Sequence, residues 1–356
     1  MALTDQELQQ LATEIKHWGH ALGFQQVGIT NIDLDQAEGR LQQWLDAGFH
    51  GEMYFMEKHG TKRSRPAELI AETCRIISVR MDYLPEAANT AQHVLDNPTM
   101  GYLSRYALGR DYHKLLRQRL NRLAAKIVAQ VGSFNHRAFV DSAPVLEKPL
   151  AEKAGLGWIG KHTNLIHPEA GSWFFLGELY TDLPLPIDSP ATAHCGSCSA
   201  CITICPTQAI VAPFQLDARL CISYQTIENR GSIPEPLRRP MGNRIYGCDD
   251  CQLVCPWNKF AQLTTELDFA PRHHLEAPQL IELFQWDEDD FLTFTAGSAI
   301  RRIGYEAWSR NVAVALGNAP TTPAIVLALQ GRAHDPSALV REHVAWALAQ
   351  HSTPSR

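Results

Sequence analysis

The sequence predicts three successive parts: an α/β or α+β domain, a small metal-binding domain and a helical C-terminal region. Three observations carry this reading. Helix-like and strand-like apolar patterns alternate through residues 4–180. Eight of the nine cysteines fall between Cys195 and Cys255. The last fifty or so residues are rich in Ala and Leu at helical spacing.

In chain order, Thr4 and Glu7 form a capping box, and Leu8, Leu11, Ala12, Ile15 and Leu22 recur at helical spacing until Gly23 stops the helix. Val27–Ile29, Arg75–Met81, Arg137–Val140 and Trp173–Tyr180 read as short strands rich in β-branched and aromatic residues. Leu115–Val131 has helical periodicity and ends at Gly132. Pro184, Pro186 and Pro190 mark an extended connection and a boundary. Cysteines cease after Pro256, and RNVAVALG at 310–317 resembles REHVAWALA at 341–349, as in paired HEAT-like helices. The expected segments are 1–183, 184–265 and 266–356.

The chain has 356 residues, 45% of them apolar, enough for a substantial core. Its net charge of -6, from 32 Lys and Arg against 38 Asp and Glu, gives no global attraction for a polyanion, so any nucleic-acid contact needs a local basic patch. Met1–Gln10 is polar and no apolar stretch could cross a bilayer, so a cytoplasmic protein is expected. Thiols in a reducing compartment bind metal rather than pair as disulfides.

Cys195-x2-Cys198-x2-Cys201-x3-Cys205-Pro206 is the bacterial ferredoxin run, in which the fourth cysteine ligates the other of two clusters. A second run, Cys248-x2-Cys251-x3-Cys255-Pro256, has Ile245 where its first cysteine would stand, and Cys221 is the replacement. We therefore expect two [4Fe-4S] clusters, one held by Cys195, Cys198, Cys201 and Cys255, the other by Cys205, Cys221, Cys248 and Cys251. Paired zinc sites are the alternative, against which the interleaved Cys-Pro endings argue. Cys74, in CRIISV, reads as a buried small hydrophobe.

The succession VDSAPVLEKPLAEKAGLGWIGKHTNLI, CGSCSACITICPTQAI, RLCISYQ and GNRIYGCDDCQLVCPWNK resembles the epoxyqueuosine reductases over nearly the whole chain. The resemblance implies a cobalamin-binding catalytic first domain and removal of the epoxide oxygen of epoxyqueuosine in the anticodon loop of tRNA. An unidentified low-potential electron donor would feed a monomer with no membrane contact. It also implies that Asp141, at a strand end, is the proton donor, for which its pKa is expected to be raised by burial or by a nearby negative charge; standing alone, Asp141 would read as a turn cap. For cobalamin the pattern carries over to Arg63, Ser104, Asp141, Lys161, His162, Asn164 and Asp249, with Gly155, Gly157 and Gly160 permitting close approach.

The motif D-x-H-x-x-G fails, because Leu116 follows Asp111 and His113 where glycine is required, so His113 is not read as a cobalt ligand. His162 is the fallback, with hydrogen bonding as its preferred role. For RNA we expect Ser223, Arg301, Arg302, Arg310 and Arg341, with Arg238, Arg239 and Arg244 nearby, against the alternative of solvated arginines. Two other functions compete: a cytoplasmic reductive dehalogenase-like cobalamin enzyme, disfavoured by the missing export signal, and a ferredoxin-type electron carrier on a helical scaffold. Bound corrin separates the carrier from either enzyme.

Overall fold

The computed structural model describes residues 3–85 and 90–352, so the outermost residues of the first and third expected segments, and 86–89, lie outside it. Helix α1 (Asp5–Ala21) starts at the expected capping box: Glu7 donates its amide to Thr4 Oγ1, and Thr4 donates its own to Glu7 Oε2 at 2.7 Å. Gly23, at φ +90°, ends it. The α1 stripe of Leu8, Leu11, Ala12 and Ile15 is buried against a four-stranded sheet. Each such leucine or isoleucine contributes about 1.5–3 kcal/mol of burial.

The sheet contains β1 (Gln26–Thr30), β2 (Arg75–Asp82), β4 (His136–Phe139) and β5 (Phe174–Thr181), in the order β1-β2-β5-β4. Every pairing is antiparallel, which makes the first part α+β. The four strands lie within one residue of the expected spans. On the same face as α1, helix α2 (Tyr112–Val131) buries Leu116, Leu120, Leu123 and Ile127. Its N-cap is Asp111, which accepts the His113 amide at 3.1 Å, and Gly132, at φ +85°, stops it. Helix α3 (Glu147–Lys153) packs on β2 and β5.

A short strand β3 (Tyr102–Leu103) pairs in parallel with β6 (Arg244–Tyr246) of the cysteine segment. Beside β6 lies α4 (Ile222–Ile227), which starts directly after Cys221. The C-terminal part contains α5 (Gly304–Asn318), α6 (Pro323–Gly331) and α7 (Ala338–Ser352), with α5 packed on α7. Gly317 makes that contact possible, since a Cβ there would stand 2.5 Å from the Trp346 ring. The largest apolar cluster joins Leu103 and Leu108 to Ile222 and Tyr246, and both to Trp308 and Val344. All three parts of the chain thus share one core.

Candidate active site

Two cavities collect the cysteines. The smaller is lined by Cys195, Cys198, Cys201 and Cys255 together with His194, Trp257 and Phe260. The larger, of about 390 Å³, lies between the sheet and the cysteine segment and is lined by Cys205, Cys221, Cys248 and Cys251. Local folding explains the split: after Cys201 the short helix Ala200–Ile204 delivers Cys205 to the other side, while Cys255 returns at the end of Asp250–Leu253. Among the described residues no three His, Cys, Asp or Glu side chains are grouped as they would be round a single ion. Cys74 differs from expectation: it is only half-buried, and its thiol donates to the Asp182 carbonyl at 3.2 Å.

Asp141 stands in the larger cavity with 55% of its side chain open to that space. The chain turns there at φ +52°, a left-handed conformation that Asp tolerates. Its Oδ2 accepts the Tyr112 hydroxyl at 2.9 Å and faces His113 Nε2 at 3.1 Å, while His113 Nδ1 lies 2.6 Å from Asp111 Oδ1. Arg302 completes the row with an ion pair to Asp111 at 2.6 Å. Tyr112 is fixed by stacking on Phe175, centroids 3.8 Å apart.

These contacts reverse the expected proton balance. Burial pushes the Asp141 carboxyl up, but hydrogen bonds from His113 and Tyr112 and the imidazolium charge outweigh it, leaving the pKa below the usual carboxylate value. Burial likewise works against charge on His113, yet Asp111 and Asp141 raise its pKa. The proton of this pair therefore rests on His113. Behind it, burial and the Asp141 charge push Glu147 up to about 7, and Glu147 accepts the Asp141 amide at 2.5 Å. Sequence reasoning misses Tyr112, His113 and Glu147 as members of the site. A signal is nonetheless present in Asp111-x-His113 at a helix start, which a test for a cobalt-ligand motif alone discards.

Of the other residues expected at the cofactor, Ser104, His162, Asn164 and Asp249 line the larger cavity. Asp249 is saturated by its own chain, accepting from Tyr102 Oη at 2.8 Å, Ser104 Oγ at 2.5 Å and the Arg105 amide at 2.8 Å. His162 accepts the Asn164 amide on Nδ1, and its buried Nε2 reaches no partner. Burial and the Lys148 charge push it down to about 4, so it is neutral. Lys161 belongs to the smaller cavity, donating to the carbonyls of Gly196 and Cys198 at 2.7 and 2.8 Å. Arg63 lines neither cavity; it is buried and donates to the carbonyls of Phe55 and Met56. The glycines serve the chain itself: a Cβ on Gly155 would meet Ser189 O, one on Gly157 Ile166 O, and one on Gly160 the Ile166 side chain.

The expected RNA residues divide. Ser223 lines the larger cavity, and Arg301, Arg302 and Arg341 are exposed. Arg310 corrects the expectation, because it is wholly buried and donates to the carbonyls of Gln225, Asn229 and Gly231. Arg238 and Arg244 are likewise committed, to Glu342 and Asp250, while Arg239 is exposed.

Thiols spaced for electron carriers and side chains poised to move a proton meet in one space, and that conjunction defines the class: an iron–sulfur oxidoreductase. Residues 194–258 match the family described as a 4Fe-4S double cluster binding domain, and residues 63–142 the one described as epoxyqueuosine reductase QueG, DUF1730. The epoxyqueuosine reductase of Escherichia coli (strain K12) is 62% identical over 344 residues, covering 97% of this chain and 90% of that one. A crystal structure of epoxyqueuosine reductase with an epoxyqueuosine-modified tRNA-Tyr stem loop superposes with a TM-score of 0.87 at 29% identity, covering 97% of this chain and 91% of the other. The Bacillus subtilis epoxyqueuosine reductase, solved with its catalytic aspartate loop swung out of the active site, gives 0.88 at 29% identity with the same coverage. The chain belongs to the epoxyqueuosine reductase family.

Proposed function

We propose that the chain reduces epoxyqueuosine to queuosine in the anticodon loop of tRNA, with Asp141 and His113 supplying protons and the eight cysteines of the middle segment holding two [4Fe-4S] clusters. The observation that carries this reading is that Cys205, Cys221, Cys248 and Cys251 line the same cavity as Asp141. Loss of the epoxide oxygen as water takes two electrons and two protons, leaving a carbon–carbon double bond. Electron carriers and proton donors must therefore reach one point.

A cobalamin fits the larger cavity on two counts. The orphaned Nε2 of His162 is a buried polar atom whose partner the chain does not provide, and Lys148, Thr163 and Asn164 add polar groups that corrin amides can meet. When bound, the clusters supply electrons singly and cobalamin supplies a strong reductant at cobalt. The chain's own residues do the rest. His113 stores a proton at rest, Tyr112 and Asp111 hold the row in line, and that proton passes from His113 Nε2 through Asp141 Oδ2 to the epoxide oxygen as its carbon bond breaks.

Ser223 at the rim, with Arg301, Arg302 and Arg341, contacts the RNA, and the base is extruded into the cavity. The low-potential donor meets the outer cysteine set, where Cys198 is exposed. Segments 1–183, 184–265 and 266–356 are the cobalamin-binding, cluster-binding and HEAT-like parts of a cytoplasmic monomer. Among the described residues no helix is long and apolar enough to cross a membrane.

Anaerobic reconstitution with iron, sulfide and cobalamin, followed by mass spectrometry of nucleosides from epoxyqueuosine-containing tRNA, tests the reading. Queuosine is expected; its absence with fully loaded protein would overturn the assignment.

A further inference from the structure

Helix α2 carries five Lys and Arg and no Asp or Glu over its 20 residues, in a chain whose net charge is -6. Only Arg119 has an ion-pair partner, Glu266, among the described residues. Lys114, Arg117, Arg122 and Lys126 are exposed, and among the described residues the one polar contact of these four is Arg117 with Ser142 Oγ at 3.5 Å. At 100° per residue Lys114, Arg117, Gln118 and Asn121 share one face, with Arg122 on its flank. That face opens two recesses. One, of about 490 Å³, is lined by Lys114, Gln118 and Arg301 together with Arg110 and Arg302, which pair with Asp268 and Asp111 in the same wall; the other, of about 450 Å³, continues along Lys114, Arg117, Asn121 and Arg122.

Folding does not ask for this arrangement. Lys114 sits in the first turn, where the helix dipole disfavours a cation. Lys114 with Arg117, and Arg122 with Lys126, are like-charge neighbours, each costing about 0.2–0.5 kcal/mol. A stripe retained against these penalties has an anionic partner. Its position says which one: the N-terminal turn of α2 puts Tyr112 and His113 at the larger cavity, and Arg117 touches the residue next to Asp141. The stripe therefore leads away from the larger cavity, over about 12 Å from Lys114 to Arg122 at 1.5 Å per residue.

We propose that the exposed face of α2 is a track for the RNA backbone, holding phosphates of the stem that adjoins the anticodon loop while the base occupies the cavity. The inference rests on the tRNA reading above. It places the main electrostatic footprint on the first part of the chain, with Arg301 and Arg302 as its far bank.

The test is the triple variant Lys114→Gln/Arg117→Gln/Arg122→Gln as reconstituted holoenzyme, with an epoxyqueuosine-carrying anticodon stem-loop as probe. Binding is measured across a salt series and turnover at saturating RNA. A Kd raised about tenfold or more, a slope of log K against log salt shallower by about 0.9 for each stem phosphate that the variant no longer neutralises, and an unchanged kcat are expected. A Kd and slope equal to those of the native protein would overturn the proposal, as would a fall in kcat with Kd unaltered. If the native protein binds the stem-loop steeply with salt yet forms no queuosine, the activity reading fails and the track stands.

Discussion

The two cysteine cavities hold similar thiol sets in different company. Around Cys195, Cys198, Cys201 and Cys255 stand lysines, histidines and aromatic rings, with no carboxyl or hydroxyl group in the wall among the described residues. Around Cys205, Cys221, Cys248 and Cys251 stand Asp141, Tyr112, Glu147 and Ser223 as well. Only the second surrounding sets the thiols beside a hydrogen-bonded carboxylate and phenol, Asp141 and Tyr112. On the reading proposed above, similar thiol sets would serve two tasks, with the neighbouring side chains deciding which.

The comparison breaks if the two sets are interchangeable. With enzyme charged by a strong chemical reductant, Cys251→Ala should abolish single-turnover queuosine formation, while Cys198→Ala should stay within about tenfold of the native rate. Equal losses, read alongside iron content, would remove the distinction. Next in size, if Asp141 passes the proton to the substrate as proposed, Asp141→Asn should lower kcat by about 10²–10⁴-fold with iron and corrin content unchanged. Retention of the native kcat would leave Asp141 as a turn residue.

Arg310 sharpens the comparison from the structural side, since it ties down the backbone at Gln225, Asn229 and Gly231, just beyond Cys221. Arg310→Met leaves buried carbonyls unpaired and should cost about 3 kcal/mol in urea unfolding, whereas Arg341→Met, at an exposed position, should stay within about 0.5 kcal/mol. Equal effects would mean that the buried contacts of Arg310 add nothing to stability beyond those of exposed Arg341. The smallest effect is expected from His113→Gln, about tenfold in kcat. Its signature is the pH profile. Because the pKa of His113 is raised, the protonated, active form persists at low pH and is lost as pH rises through that elevated value. The variant should lack this alkaline limb, and an unchanged profile would clear His113 of holding the proton.

Sequence spacing was enough to divide the cysteines into the two groups that the cavities collect, because Cys-x2-Cys runs and the Cys-Pro endings constrain the backbone over a few residues. Strand and helix positions were legible for the same local reason. Arg310 and Arg341 were not separable, since equivalent places in a repeat say nothing about which copy faces the core. The role of His113 was hidden too: its pKa depends on Asp141, 28 residues away, which meets it only once β4 and α2 have packed. Asp141 was singled out by motif, but its proton balance follows from Tyr112 and His113, and so came out opposite to the expectation that burial or a nearby negative charge would raise its pKa.

The parallel pairing of β3 with β6 has a consequence for engineering. Asp249, next to Cys248, is held by Tyr102, Ser104 and Arg105, so the cysteine segment is stitched into the first part of the chain by backbone and side chain together. It is not a plug-in cartridge. A chimera that imports residues 194–258 from a relative would need to bring the donor's own 102–105 strip with it, or the imported wiring would be seated in a socket cut for another plug.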